Sequence, residues 1–91
     1  MTDQEKRDAA VDAFAKAMKE RLNEMALKGK TGWDGGYPTQ RLRTELRSDA
    51  NDVVILHNDD KAVDIANRAM MLWYRDGILK QFDKIIRGNE R

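Results

Sequence analysis

Few side chains in this 91-residue sequence can do chemistry unaided, and most of those that can are acids. Between residues 48 and 64, Asp49, Asp52, Asp59, Asp60 and Asp64 stand against Lys61 alone, and Glu45 lies just ahead of them. Glu45 and Asp49 are four apart and Asp52 is three further on, so a helix there carries all three on one face. Such a face either is solvated, its acids paired with Arg41, Arg43 and Lys61, or looks at Asp64 across a helix pair as an acidic centre. Other chemistries are excluded more directly. The chain has no cysteine and one histidine, His57, so thiolate sites and the usual zinc constellations are out of reach. Ser48 has no histidine at a spacing that suggests acyl transfer. The run Gly29-Lys30-Thr31-Gly32 lacks the earlier glycine and the preceding strand of a phosphate-binding loop. Arg41, Arg43 and Arg47, with Lys28 and Lys30, form a short basic group next to two loop aromatics. That supports a nucleic-acid reading, but a net charge of +1 and a pI near 8.0 fall short of the usual electrostatic footprint.

The elements that must position these residues are helical. Thr2 with Glu5 is a capping-box signature, and Val11, Phe14, Met18, Leu22 and Met25 then recur at three or four residues. This predicts an amphipathic helix over 3–28, closed by Gly29. Residues 29–38 hold four of the six glycines and the one proline, so they read as a loop, with Trp33 and Tyr37 either anchored to the core or offered to a ligand. Leu42, Leu46, Ala50 and Val53 mark a second helix over 39–57, with Thr39 as its cap. Val53–Leu56 also suits a short buried strand, but with no partner strand in the sequence the helical reading is taken. His57 reads as a helix-end residue, and Asp59 or Asp60 caps a third helix over 60–76. There Val63, Ala66, Met70 and Trp73, flanked by Ile65, Ala69 and Leu72, form the stripe on which the other helices are expected to pack. Gly77 predicts a break or kink before a fourth helix over 78–87, carried by Ile78, Leu79, Phe82, Ile85 and Ile86, and a polar tail from Gly88 to Arg91. The expectation is an all-α, compact bundle of three to four helices in a single domain, 1–91. The sequence has no basic-then-apolar leader and no run long enough to span a membrane, so the expected location is cytoplasmic.

Two stretches, Lys-Gly-Lys-Thr-Gly-Trp-Asp (28–34) and Val-Asp-Ile-Ala-Asn-Arg-Ala-Met-Met-Leu-Trp (63–73), resemble small phage- and prophage-encoded helical proteins of the MazG-like nucleotide pyrophosphohydrolase superfamily. With the order of helices, the resemblance covers about half the chain. It implies magnesium-dependent hydrolysis of nucleoside triphosphates, with the metal on a Glu-Glu-x-x-Glu motif and a later Glu-x-x-Asp motif. At those places this chain has Thr44, Glu45 and Ser48, then Lys61 and Asp64, so only Glu45 and Asp64 survive. Magnesium needs several oxygen ligands in near-octahedral order, and Glu45, Asp49 and Asp64 would be a sparse set with Arg47 and Lys61 nearby.

Two main expectations follow. In the first, the chain is a non-catalytic phage or prophage accessory protein on a degenerate MazG-like scaffold. It has no cofactor and binds a host protein through Trp33, Tyr37, Arg43 and Arg47. Relatives in that superfamily associate through helix faces, so a homodimer or higher oligomer belongs to the same reading. In the second it is a pyrophosphohydrolase, with Mg2+ on Glu45, Asp49 and Asp64, Lys30 on the phosphates and Trp33 stacked on the base. Nucleic-acid binding through the arginines is a third.

Overall fold

Three α-helices and one 3-10 turn account for the fold in a computed structural model, which describes residues 1–89 apart from the side chains at 78, 79, 82, 83 and 86–89. Helix α1, Asp3–Leu27, opens on the expected capping box. The Glu5 N–H donates to Thr2 Oγ1 at 3.1 Å and the Thr2 N–H to Glu5 Oε1 at 3.4 Å, so donors that the helix cannot pair internally are satisfied by side chains. At its other end Gly29 takes a φ of +79°, its N–H reaches the Ala26 carbonyl at 3.0 Å, and the Lys30 N–H reaches Met25 at 3.0 Å. This is the double bond pattern that a left-handed residue makes possible after a helix.

From Lys30 to Pro38 the chain is in turns and irregular backbone. Gly32, at φ +84°, lets its carbonyl accept from both the Gly35 N–H at 3.2 Å and the Tyr37 N–H at 2.8 Å. Helix α2, Thr39–Leu56, starts one residue earlier than a Thr39 cap requires. Pro38 holds the capping position with extended backbone, and no side chain caps the end. Val53–Leu56 is helical. His57 does sit at the helix end, at φ +54°, and the Asn58 N–H folds back to the Asp52 carbonyl at 3.2 Å. Asp59–Lys61 form the 3-10 turn that leads into α3, Ala62–Asn89.

The expected break at Gly77 is absent, and one helix replaces two. A glycine inside a helix costs about 1 kcal/mol relative to alanine, too little to interrupt a 28-residue hydrogen-bond ladder. The apolar pattern expected at Ile78, Leu79, Phe82 and Ile86 falls on side chains outside the description, as does the tail of Glu90 and Arg91. Gly77 is exposed and has open space where a Cβ would sit. Gly77→Ala is therefore expected to raise stability by about 0.5 to 1 kcal/mol in urea denaturation. A loss of stability would mean that the helix needs glycine there.

Both α1 and α2 pack on α3 and, among the described residues, not on each other. The all-helical expectation holds, with the helices gathered around α3 more openly than in a closed bundle. The radius of gyration is 16.5 Å, against about 12 Å for a compact chain of this length. No helix is long and apolar enough to cross a membrane.

The face that α3 turns inward is also not the expected one. Asp64, Asn67, Arg68, Met71 and Arg75, spaced three, one, three and four, lie along one side of the helix and carry its contacts to α1, α2 and the loop. The stripe expected to floor the core is half-buried at Val63, Ala66 and Met70, and Trp73 is 75% exposed. The partners explain the rotation: α2 presents Glu45 and Asp49, and α1 presents Arg21, so turning the polar side of α3 toward them pairs the charges that packing would otherwise strand. Leu42, at 3% exposure, is the one buried apolar side chain among the described residues.

Candidate functional site

Because α1 and α2 do not touch, a cleft of about 660 Å3 remains between them, floored by α3 and edged by the loop. Glu45 and Asp49 point from α2 toward α3, four residues apart as the sequence requires, and meet Arg68. Its Nε donates to Glu45 Oε2 at 3.2 Å and its Nη1 to Asp49 Oδ2. Asp64, one turn earlier on α3, faces α1 instead, where Arg21 Nε donates to its Oδ1 at 3.0 Å. The same guanidinium holds Glu24 at 2.9 Å. Two arginines on different helices thus divide the three acids, and Asp64 is turned away from Glu45 and Asp49. Asp52 does not join them; its backbone carbonyl serves the end of α2.

The loop is tied to the same network. Tyr37 donates its hydroxyl to Glu45 Oε1, while its carbonyl accepts from Arg75 Nη1 at 2.6 Å. Arg41 adds a guanidinium 5.6 Å from the Tyr37 ring centre and 3.7 Å from Glu45 Oε1. Trp33 lies tilted against Tyr74, with ring centres 5.2 Å apart. Of the two readings for the loop aromatics, anchorage to the helices is the one these contacts describe. Lys30 is exposed at the edge of the same cleft as Trp33 and Tyr37, whereas Arg43 and Arg47 are exposed outside it, so the structure does not bring those two arginines together with the loop aromatics.

These contacts shift three groups. Burial pushes the Glu45 carboxyl up most strongly of any single influence. The hydrogen bonds from Tyr37 and Arg68 and the charges of Arg68 and Arg41 together outweigh it, and Glu45 ends below its ordinary value. The same bond to Glu45 raises the Tyr37 hydroxyl, and the bond to Asp64 raises Arg21. Glu45 is thus held as a carboxylate, with both of its oxygens already in use.

A magnesium ion takes oxygen ligands that are free to turn toward it and keeps several waters. Here each candidate carboxylate accepts from a guanidinium, Asp64 faces the other way, and among the described residues no three acids or imidazoles converge on one point. As arranged, Glu45, Asp49 and Asp64 do not fit the ion.

Sequence reasoning missed Arg21, Arg68, Arg75 and Asn67. Asn67 is 4% exposed, donates from Nδ2 to the Met18 carbonyl at 3.3 Å, and leaves Oδ1 without a partner. One signal was present: Arg68 is a cation on the helix facing Glu45 and Asp49, two acids four apart on one face of α2. Facing faces of that kind settle by charge. No family model, no characterised protein and no solved structure matches the chain.

Proposed function

We propose that this chain is a non-catalytic accessory protein of phage or prophage origin, built on a degenerate MazG-like helical scaffold, and that it acts by binding a host protein. The observation that carries the reading is the pair of arginine bridges. Arg68 on Glu45 and Asp49, and Arg21 on Asp64, use as internal struts the carboxylates that a hydrolase of that superfamily would need for metal. Each acid already accepts from a guanidinium, so a divalent cation would have to displace it and leave it partly buried and unpaired.

The outward surface supports the binding half of the proposal. Trp73 on α3 is exposed over three quarters of its surface, and tryptophan is over-represented among the residues that dominate protein interfaces. On α2 the exposed positions Arg43, Arg47 and Val54 share one face and suit a partner that offers acidic and apolar groups. Trp73→Ala, and separately Arg43→Glu with Arg47→Glu, are expected to weaken binding of the purified host partner at least tenfold by calorimetry without changing the helical circular dichroism. Undiminished binding by both variants would contradict these faces.

One observation favours a second reading, a magnesium-dependent nucleoside triphosphate pyrophosphohydrolase or a nucleotide-binding protein. The cleft has room for a ligand, and Lys30, Trp33, Glu45 and Asp64 all border it. In that reading Lys30 meets the phosphates and Trp33 the base.

A further inference from the structure

The last turn of α2 is apolar and open to solvent on several sides. Val54, Ile55 and Leu56 are consecutive, so their side chains leave the axis about 100° apart and span more than half of the helix circumference. They are nevertheless 74%, 68% and 69% exposed. Single exposed apolar residues are ordinary, whereas a contiguous group of large ones marks an interaction site. Local structure gives no reason for them. Two of the three are β-branched, which slightly disfavours a helix, and none takes part in the bridges that join α2 to α3. The end of the helix is an apolar knob.

The charge around this knob is negative and unanswered. Asp52 precedes it, and Asp59 and Asp60 follow it, both exposed. Among the described residues none of the three forms an ion pair, and Lys61, the nearest cation in sequence, bridges none of them. The backbone adds to the sign, because a helix C-terminus carries about half a negative charge on carbonyls that lack internal donors. The left-handed turn at His57 returns the His57 and Asn58 N–H groups to the Asp52 carbonyl. The carbonyls of Val54, Ile55 and Leu56 therefore accept nothing among the described residues, and the last turn has no basic side chain of its own. Lysine or arginine from outside supplies what is missing, by donating to those carbonyls and opposing the acids. A bare cation does not suffice: no three acids or imidazoles converge among the described residues, and the apolar side chains need cover as well.

We infer that the C-terminal end of α2 docks into a groove of the host partner whose floor is apolar and whose rim carries lysine or arginine. Val54, Ile55 and Leu56 enter the floor, with this chain supplying the helix, while the rim cations meet Asp52, Asp59, Asp60 and the open carbonyls. Nucleic acid and anionic lipid are repelled by the same acids and are not the occupant. Arg43 and Arg47 lie at least seven residues back from Val54, about 10 Å or more along the helix. The partner's surface therefore changes sign along the contact, acidic opposite those arginines and basic opposite the helix end, and that order fixes the direction in which α2 lies on it. The inference rests on the protein-binding reading and adds to it a second surface and the chemistry of the partner.

A synthetic helix of about 18 residues, with leucine on one face and lysine on the other, presents that chemistry in a defined form. Titrated into the full isotope-labelled chain, it is expected to shift the backbone amides of residues 52–61 most, with an affinity that falls at least tenfold between about 50 and 500 mM salt. The same peptide with glutamate in place of lysine is expected not to bind. Ile55→Ser with Leu56→Ser, and separately Asp59→Asn with Asp60→Asn, alter exposed side chains that hold no bridge. The first pair is expected to weaken the lysine peptide at least tenfold and the second at least threefold, with the helical circular dichroism unchanged. Val11→Ser, at an apolar residue of α1 that is 67% exposed, is expected to leave binding as it was. No binding, shifts centred elsewhere, equal binding of the glutamate peptide, or indifference to both pairs of substitutions overturns the proposal. So do shifts at 52–61 that grow with the chain's own concentration before peptide is added, since a second copy would then cover the helix end. A host partner that depends on Trp73 or on Arg43 and Arg47, but binds the serine pair undiminished, removes this site and leaves the binding reading standing. The absence of any host partner removes both.

Discussion

Replacing Arg68 with alanine is expected to destabilise the protein by about 2 to 3 kcal/mol, seen as a lower urea midpoint with an unchanged slope. Breaking a buried pair typically costs about 3 to 5 kcal/mol, mostly because the remaining charge is stranded. The lower figure applies because these groups are only partly enclosed, at 23% exposure for Arg68, 33% for Glu45 and 12% for Asp49. The loss has two parts: Asp49 keeps a charge with no partner, and Glu45 is left to Tyr37 and Arg41. Joining Asp49→Asn to Arg68→Ala removes the stranded charge, so the double variant is expected to lose less than the two single changes combined. Strict additivity would mean that Arg68 acts by packing rather than by charge.

Leu42→Ala is expected to cost about 2 to 3 kcal/mol, near the lower end for deleting a buried leucine, because the neighbouring cleft lets the site relax. Leu42 is the one buried apolar side chain among the described residues, and it borders the cleft with Met71. A small domain holds on the order of 5 kcal/mol in total, so either variant alone should leave a measurable unfolded fraction at 37 °C. A Leu42→Ala loss below about 0.5 kcal/mol would mean that burial at this position contributes nothing, contrary to general experience with core leucines.

The sequence was legible where local rules decide. The capping box at Thr2 and Glu5, the stop at Gly29 and the extents of α1 and α2 are set by neighbours within a few residues, and they are found within a residue of where the pattern puts them. Two features depended on long-range competition and were misread. Gly77 carries the right type for a stop, but a single weak position does not end a helix that continues on both sides. In α3 the larger apolar stripe pointed one way and the charged residues another. What settled it was the set of groups on α1 and α2 that needed partners, Arg21, Glu45 and Asp49, which no window along α3 contains. The acids of the candidate site were therefore visible in the sequence, while the arginines that define their present role were not.

The central claim is that Glu45, Asp49 and Asp64 are structural anions held by arginine rather than metal ligands. Its most direct test is pyrophosphate release from a panel of ribo- and deoxyribonucleoside triphosphates with magnesium or manganese, comparing the wild type with Glu45→Ala, Asp64→Ala. The expected result is no turnover by the wild type above that double variant with any nucleotide. Metal-dependent release that the double substitution abolishes would contradict it and return these carboxylates to catalysis.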